Sequence, residues 1–246
     1  MKLLNKILIA ISATLIAGTT TASTSIDFRH EWKAEDKKQA SRVKMGHNYG
    51  INDDWQGNIG IEMKFRSYDA TNTFEDVMLT ETELDWGYTY KVNRNWELKP
   101  GMPIAITDRK TTFKPQLRIV YRADMGLTTA LRYRYEIANY ADSADGDTSM
   151  ETGEKINQPH RTKLTLTGAY KIESMPALKL SYEANYIKSH DDVRQYDGKD
   201  SDYDIGLKAG YRMGNWQPFT ELWDVKVDSK TDQRQMKLRA GVKYYF

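Results

Sequence analysis

The sequence predicts an all-β protein, a transmembrane antiparallel β-barrel of twelve strands with short periplasmic turns and longer extracellular loops. Three observations carry that expectation. Apolar and polar residues alternate in segments of about ten residues, as barrel strands require. The connections alternate between tight turns and longer polar stretches, and the chain ends on an aromatic strand closed by Phe246.

The chain begins with a secretory leader. Lys2 and Lys6 precede an apolar run over residues 7–18, and the small residues Thr20, Thr21 and Ala22 follow, which places cleavage after Ala22. The expected organisation is therefore a signal peptide at 1–22 and a barrel at 23–246. The run is shorter than the roughly 20 residues a spanning helix needs. No later segment reaches that length. Removing the leader takes away two lysines and no acid, so the formal +2 becomes 34 basic against 34 acidic side chains. Function must then lie in where charge sits. With no cysteine, disulfides and thiolate metal sites are excluded. A mean hydropathy of -0.72 fits a soluble protein, but it equally fits a barrel, in which only alternate residues meet lipid. Sixteen Tyr and six Trp favour the barrel, because amphipathic rings suit a membrane interface.

Alternating segments begin near Ile26, Arg42, Trp55, Met78, Trp96, Phe113, Leu127, Arg161, Leu178, Tyr203, Trp216 and Gln235. The third is the clearest, with Ile59, Ile61, Met63 and Phe65 set against Asn58, Glu62, Lys64 and Arg66. In the seventh, Leu131, Tyr133, Tyr135 and Ile137 alternate with Arg132, Arg134 and Glu136. Period two over such lengths excludes a helix. An even count returns both termini to one side. Tight turns fall at 50–54, 93–95, 124–126, 173–176 and 214–215, while 142–157 and 190–202 are long and rich in Asp, Gly and Ser. Trp55, Trp96 and Trp216 each open a strand after a tight turn, a common position that reads as a periplasmic aromatic girdle. A soluble β-sandwich also has short alternating strands. The regular long and short rhythm and the leader argue against it.

If the apolar face of each strand meets lipid, the opposite face gives the lumen. Nineteen basic and ten acidic residues fall there by parity. The basic ones form two groups. Lys237, Arg239, Arg29, Arg42, Lys44, Lys64 and Arg66 lie on strands twelve, one, two and three; Arg118, Arg122, Arg132, Arg134, Arg161 and Lys163 lie on strands six, seven and eight. In a ring of twelve, strand one stands opposite strand seven, so the groups face each other as two tracks. An excess of fixed positive charge in a narrow channel concentrates anions. Arginine adds a planar fork that binds carboxylates through two parallel hydrogen bonds.

Other chemistries find no support. His30, His47, His160 and His190 lack metal-ligand spacing, no Ser/His/Asp set converges, and no phosphate loop occurs. No cofactor, metal or enzyme activity is therefore expected. Nucleic-acid binding would use bases and aromatics together, whereas here they occupy opposite strand faces.

Several stretches resemble the oligogalacturonate-specific porin family of the KdgM type. Ser25-Ile-Asp-Phe-Arg-His-Glu31 is similar to that family's opening, Ala130-Leu-Arg-Tyr-Arg-Tyr135 to its seventh strand, and Asn215-Trp-Gln-Pro218 through Thr231-Asp-Gln-Arg234 to Phe246 to its ending. The resemblance implies a monomeric twelve-stranded channel for acidic oligosaccharides, with basic lining at positions including Arg29, Arg132 and Arg134. The expected function is passive uptake of oligogalacturonates in the outer membrane. The expected partners are acidic oligosaccharides, outer-membrane lipids and the barrel-assembly machinery, the last through the Phe246 strand. The alternatives are another anionic sugar such as sialic acid or alginate fragments, a barrel enzyme, or an adhesin with a plugged lumen.

Overall fold

A computed structural model describes residues 23–69 and 71–246; the leader expected at 1–22 lies outside them. The wall is made of β1 (Ser23–Lys33), β2 (Gln39–Gly50), β3 (Trp55–Ser67) and β4 (Val77–Lys91). It continues with β5 in two segments (Trp96–Gly101 and Ile104–Ile106) and β6 in two segments (Lys110–Phe113 and Gln116–Arg122). Then come β7 (Leu127–Tyr140), β8 (His160–Lys171), β9 (Leu178–Ser189), β10 (Ser201–Tyr211), β11 (Trp216–Lys226) and β12 (Arg234–Tyr245). Each strand pairs antiparallel with its sequence neighbours. The ring closes where β1 pairs β12, from Ser25 opposite Tyr245 to Lys33 opposite Lys237. The Phe246 amide extends that seam by donating to the Thr24 carbonyl at 3.1 Å. Closure leaves no open edge, which a sheet in lipid cannot tolerate.

Proline explains the two split strands. Pro103 and Pro115 have no N–H to give to the ladder, so regular pairing stops at each. The wall nevertheless stays sealed. Lys114 N donates to Pro103 O at 2.9 Å, and Tyr135 N donates to Pro115 O at 3.0 Å. A bulge on β4 opposite Lys64 and Phe65 inserts Thr80, whose hydroxyl donates to the Lys64 carbonyl at 3.2 Å.

All five tight turns fall on the side that carries the described end at Ser23 and Phe246. Trp55, Trp96 and Trp216 lie there, each paired with a tyrosine (Tyr90 at 4.7 Å, Tyr121 at 4.8 Å, Tyr244 at 4.6 Å between ring centroids). On the opposite side the connections are less uniform than expected. Segments 141–159 and 190–200 are long, but 34–38 and 107–109 are short. The sixth strand begins at Lys110 rather than near Phe113, and residues that read as loop are used up in strand. Thr107 and Lys110 close that turn by backbone pairing at 3.0 Å.

The polarity of the wall is inverted relative to a soluble fold. Among the described residues, fifteen buried side chains are polar or charged and seven are hydrophobic, whereas Ile59, Leu131, Tyr133 and Leu207 are half or more exposed on the outer face. Strand alternation causes this: successive side chains point to opposite faces, so the apolar set faces lipid and the polar set the lumen.

Candidate functional site

The lumen holds a cavity of about 750 Å³, lined by fourteen basic and eight acidic side chains. A second cavity of about 250 Å³ shares Lys179, Ser181 and Lys208 with it and continues toward the turn side past Asp27, Lys243 and Tyr245. Eleven of the thirteen sequence-selected residues line the larger cavity: Arg29, Arg42, Lys44, Lys64, Arg118, Arg132, Arg134, Arg161, Lys163, Lys237 and Arg239. Two do not. Arg66 lies at the loop end of β3 beside a small cleft with His30 and Phe74. Arg122 ends β6 at the turn side, where both its Nε and Nη2 donate to Glu97 at 3.1 Å.

Strand pairing sets which side chains meet. In the closed order β1 lies six strands from β7 in either direction. Around β12, β1, β2 and β3 the basic side chains are interleaved with carboxylates. Arg42 contacts Asp27 at 2.7 Å and Glu62 at 3.0 Å, and Arg239 contacts Glu31 at 3.0 Å and Glu221 at 3.1 Å. Arg29 reaches Glu221 at 3.5 Å, Lys44 reaches Asp85 at 3.2 Å, and Lys64 reaches Glu81 at 2.6 Å. The sequence alone suggests a free excess of positive charge on this side. Cross-strand register instead brings an acid within reach of each of these five cations.

The other side differs. Arg134 and Arg161 share Glu136, at 3.7 and 2.6 Å. Arg118 and Arg132, opposite one another in the β6–β7 register, touch no carboxylate among the described residues. Arg118 Nη2 donates to Thr167 Oγ1 at 2.7 Å and Arg132 Nη2 to Thr165 Oγ1 at 3.0 Å. The acids nearest in the wall are held elsewhere: Asn185 Nδ2 donates to Glu183 and to Asp204, and its Oδ1 accepts from Thr165.

Other side chains of the same parity also face the lumen. Glu81 shares the parity of Glu83 and Asp85, and it lines the cavity. Trp223 shares the parity of Glu221 and faces inward. A Cβ on Gly206 would lie 2.3 Å from its ring, so glycine alone lets the indole lie flat on β10. Its Nε1 donates to Glu221 at 2.8 Å, and Arg239 and Lys237 stand 4.9 and 5.2 Å from its ring. Phe219, also inward, packs against Lys208 at 3.4 Å.

On the loop side, segments 141–159 and 190–200 lean over the mouth. Ser149 bridges to Val193, both buried, and Lys226 Nζ donates to the carbonyl of Gln195, also buried. Val193 and Gln195 face Glu136 and Arg161 across a small cleft. The described residues contain no cluster of metal-ligating side chains.

This architecture is shared with known channels. The oligogalacturonate-specific porin KdgM of Dickeya dadantii (strain 3937) is 26% identical over 249 residues, covering 97% of this chain and 98% of that protein. The solved NanC porin superposes with a TM-score of 0.68 at 16% identity, over 89% of this chain and 98% of its own. A KdgM porin solved in complex with disordered oligogalacturonate gives 0.63 at 21% identity, over 90% and 99%. The protein is thus an integral β-barrel of the outer membrane. Residues 17–246 match the oligogalacturonate-specific porin protein (KdgM) family, and the chain belongs to it.

Proposed function

We propose that this porin conducts acidic oligosaccharides, oligogalacturonates in particular, by passive diffusion through a lumen whose basic lining takes the place of the solute's counterions. One observation carries the reading: basic side chains outnumber acidic ones fourteen to eight around a single cavity. In a confined lumen with low-dielectric walls such an excess raises the local concentration of anions. The solute path runs along the basic residues of β12 to β3 and of β6 to β8, with Arg66 and Arg122 beyond the two ends of the central cavity. No catalytic step enters this transfer, and no cofactor or metal is needed. The functional unit is one chain, cleaved after Ala22, surrounded by outer-membrane lipid and delivered to the assembly machinery through its Phe246 strand. The relative solved with oligogalacturonate is consistent with the choice of sugar.

The test is a planar-bilayer recording. The open channel prefers chloride to potassium, and trigalacturonate lowers its conductance at concentrations where neutral maltotriose does not. Arg132→Ser with Arg134→Ser lowers both the chloride preference and the response to trigalacturonate. Cation selectivity in the wild type would refute the reading. Response to sialic acid or alginate fragments in preference to galacturonates would move the solute to another anionic sugar.

A further inference from the structure

The two sides of the lumen are not equivalent. Every carboxylate that approaches β12 to β3 is already shared among the cations there; Glu62 alone stands within 3.0 Å of Arg42, 3.7 Å of Lys44 and 3.8 Å of Lys64. Glu221 likewise contacts Arg29, Lys208 and Arg239, at 3.5, 3.1 and 3.1 Å. Such a lattice satisfies nearly all of its own charge; among the described residues of that wall lining the cavity, Lys237, 5.2 Å from the Trp223 ring, is the one cation without an ion pair. A solute carboxylate arriving beside it meets an acid for nearly every base, and it must displace an ion pair to be held.

Opposite it, Arg118 and Arg132 stand directly across from each other in adjacent strands. Like charges at facing positions destabilise a sheet, and nothing in the wall neutralises these two by contact. Their hydroxyl acceptors, Thr167 and Thr165, are uncharged. A guanidinium has five N–H donors, so each keeps most of its donors unused, and Arg132 Nε is buried with no partner. Lys163, next along the same side, makes no ion pair or hydrogen bond among the described residues and lines the same cavity. Asn185 completes the arrangement. Its amide donates to Glu183 and Asp204, the acids on β9 and β10, which form no ion pair with Arg118, Arg132 or Lys163 among the described residues.

We infer that carboxylates bind one wall only: a solute carboxylate is held between Arg118 and Arg132 with Lys163 beside it, while the β12 to β3 lattice shapes the pore without binding. This rests on the proposed conduction of acidic sugars and narrows it. The solute class is one whose successive carboxylates line up along a single edge, because a single cationic ladder engages them. Below the arginine pair, Lys179 continues into the second cavity and gives the next cationic position toward the turn side.

Three variants recorded in planar bilayers test this. Each is first shown to be folded by its heat-modifiable gel mobility. R118Q/R132Q removes the pair, K64Q/E81Q removes one base and one acid from the lattice without changing net charge, and R118K/R132K keeps the charge but loses the fork. R118Q/R132Q lowers the chloride-to-potassium permeability ratio several-fold and weakens trigalacturonate block by about tenfold, the usual scale for losing one fork contact to a carboxylate. K64Q/E81Q gives clearly the smaller loss in both. R118K/R132K keeps the wild-type permeability ratio and weakens the block, and it carries the test if the Gln variant does not fold. Equal losses in K64Q/E81Q and R118Q/R132Q, or full block in R118K/R132K, would overturn the one-wall assignment. A wild-type channel indifferent to trigalacturonate would instead refute the uronate reading, and the chloride comparison between the walls would still stand.

Discussion

Thr165 is 1% exposed and uses both halves of its hydroxyl, accepting from Arg132 and donating to Asn185 at 2.7 Å. It therefore couples the cationic side chain to the amide that holds Glu183 and Asp204. Thr165→Val keeps the shape and leaves two polar groups unpaired, at a cost of about 1–3 kcal/mol. The folded gel band should be lost at lower temperature, and trigalacturonate block should weaken as Arg132 loses its anchor. Thr165→Ser restores both. If Val changed stability but not block, Thr165 would be structural only. Much at this scale was legible in the sequence, since alternation alone put Arg118, Arg132 and Lys163 on the inner face. Which cations are compensated was not. Arg239 and Glu31, in contact at 3.0 Å, are 208 positions apart, and only the register of the β1–β12 seam brings them together.

Strand positions followed the hydrophobic period closely, because a one-residue slip would turn every apolar side chain into the lumen. The elements that escaped prediction are those in which period two is not the controlling constraint. Pro103 and Pro115 interrupt β5 and β6 without opening the wall, and the 107–109 connection shrinks as β6 extends outward. The disposition of the long loops was equally hidden, since polar composition marks a loop without saying where it rests. Segment 190–200 rests inward, with Val193 and Gln195 buried in the mouth and backbone bonds from Asp197 and Gly198 to Thr231 and Ser229, both at 3.2 Å. Replacing residues 191–199 by a two-residue turn should raise single-channel conductance. The chloride-to-potassium ratio should change little, because the arginine pair lies deeper. A drop in selectivity would place the filter in the loop.

At the scale of the whole molecule, neutrality of the expected mature chain and positivity of the lumen are compatible because strands sort residues by face and loops take the remaining acids. The barrel has almost no apolar interior, so its integrity depends on the ring of backbone pairing, which lipid leaves no alternative partner to satisfy. The junction of β12 with β1 belongs to that ring on equal terms with the rest, and Phe246 lies one hydrogen bond from Thr24. Ser23, where the described residues begin, and Phe246 are therefore neighbours on the side of the short turns. A permuted gene that joins Phe246 to Ser23 by a short linker and opens the chain at 124–126 should give the same heat-modifiable barrel with the same ion preference. Loss of folding would show that the order of insertion matters as well as the finished pairing. In the folded ring no junction is marked as first or last; where the polypeptide starts and stops is a record of its synthesis, carried by the sequence and absent from the shape.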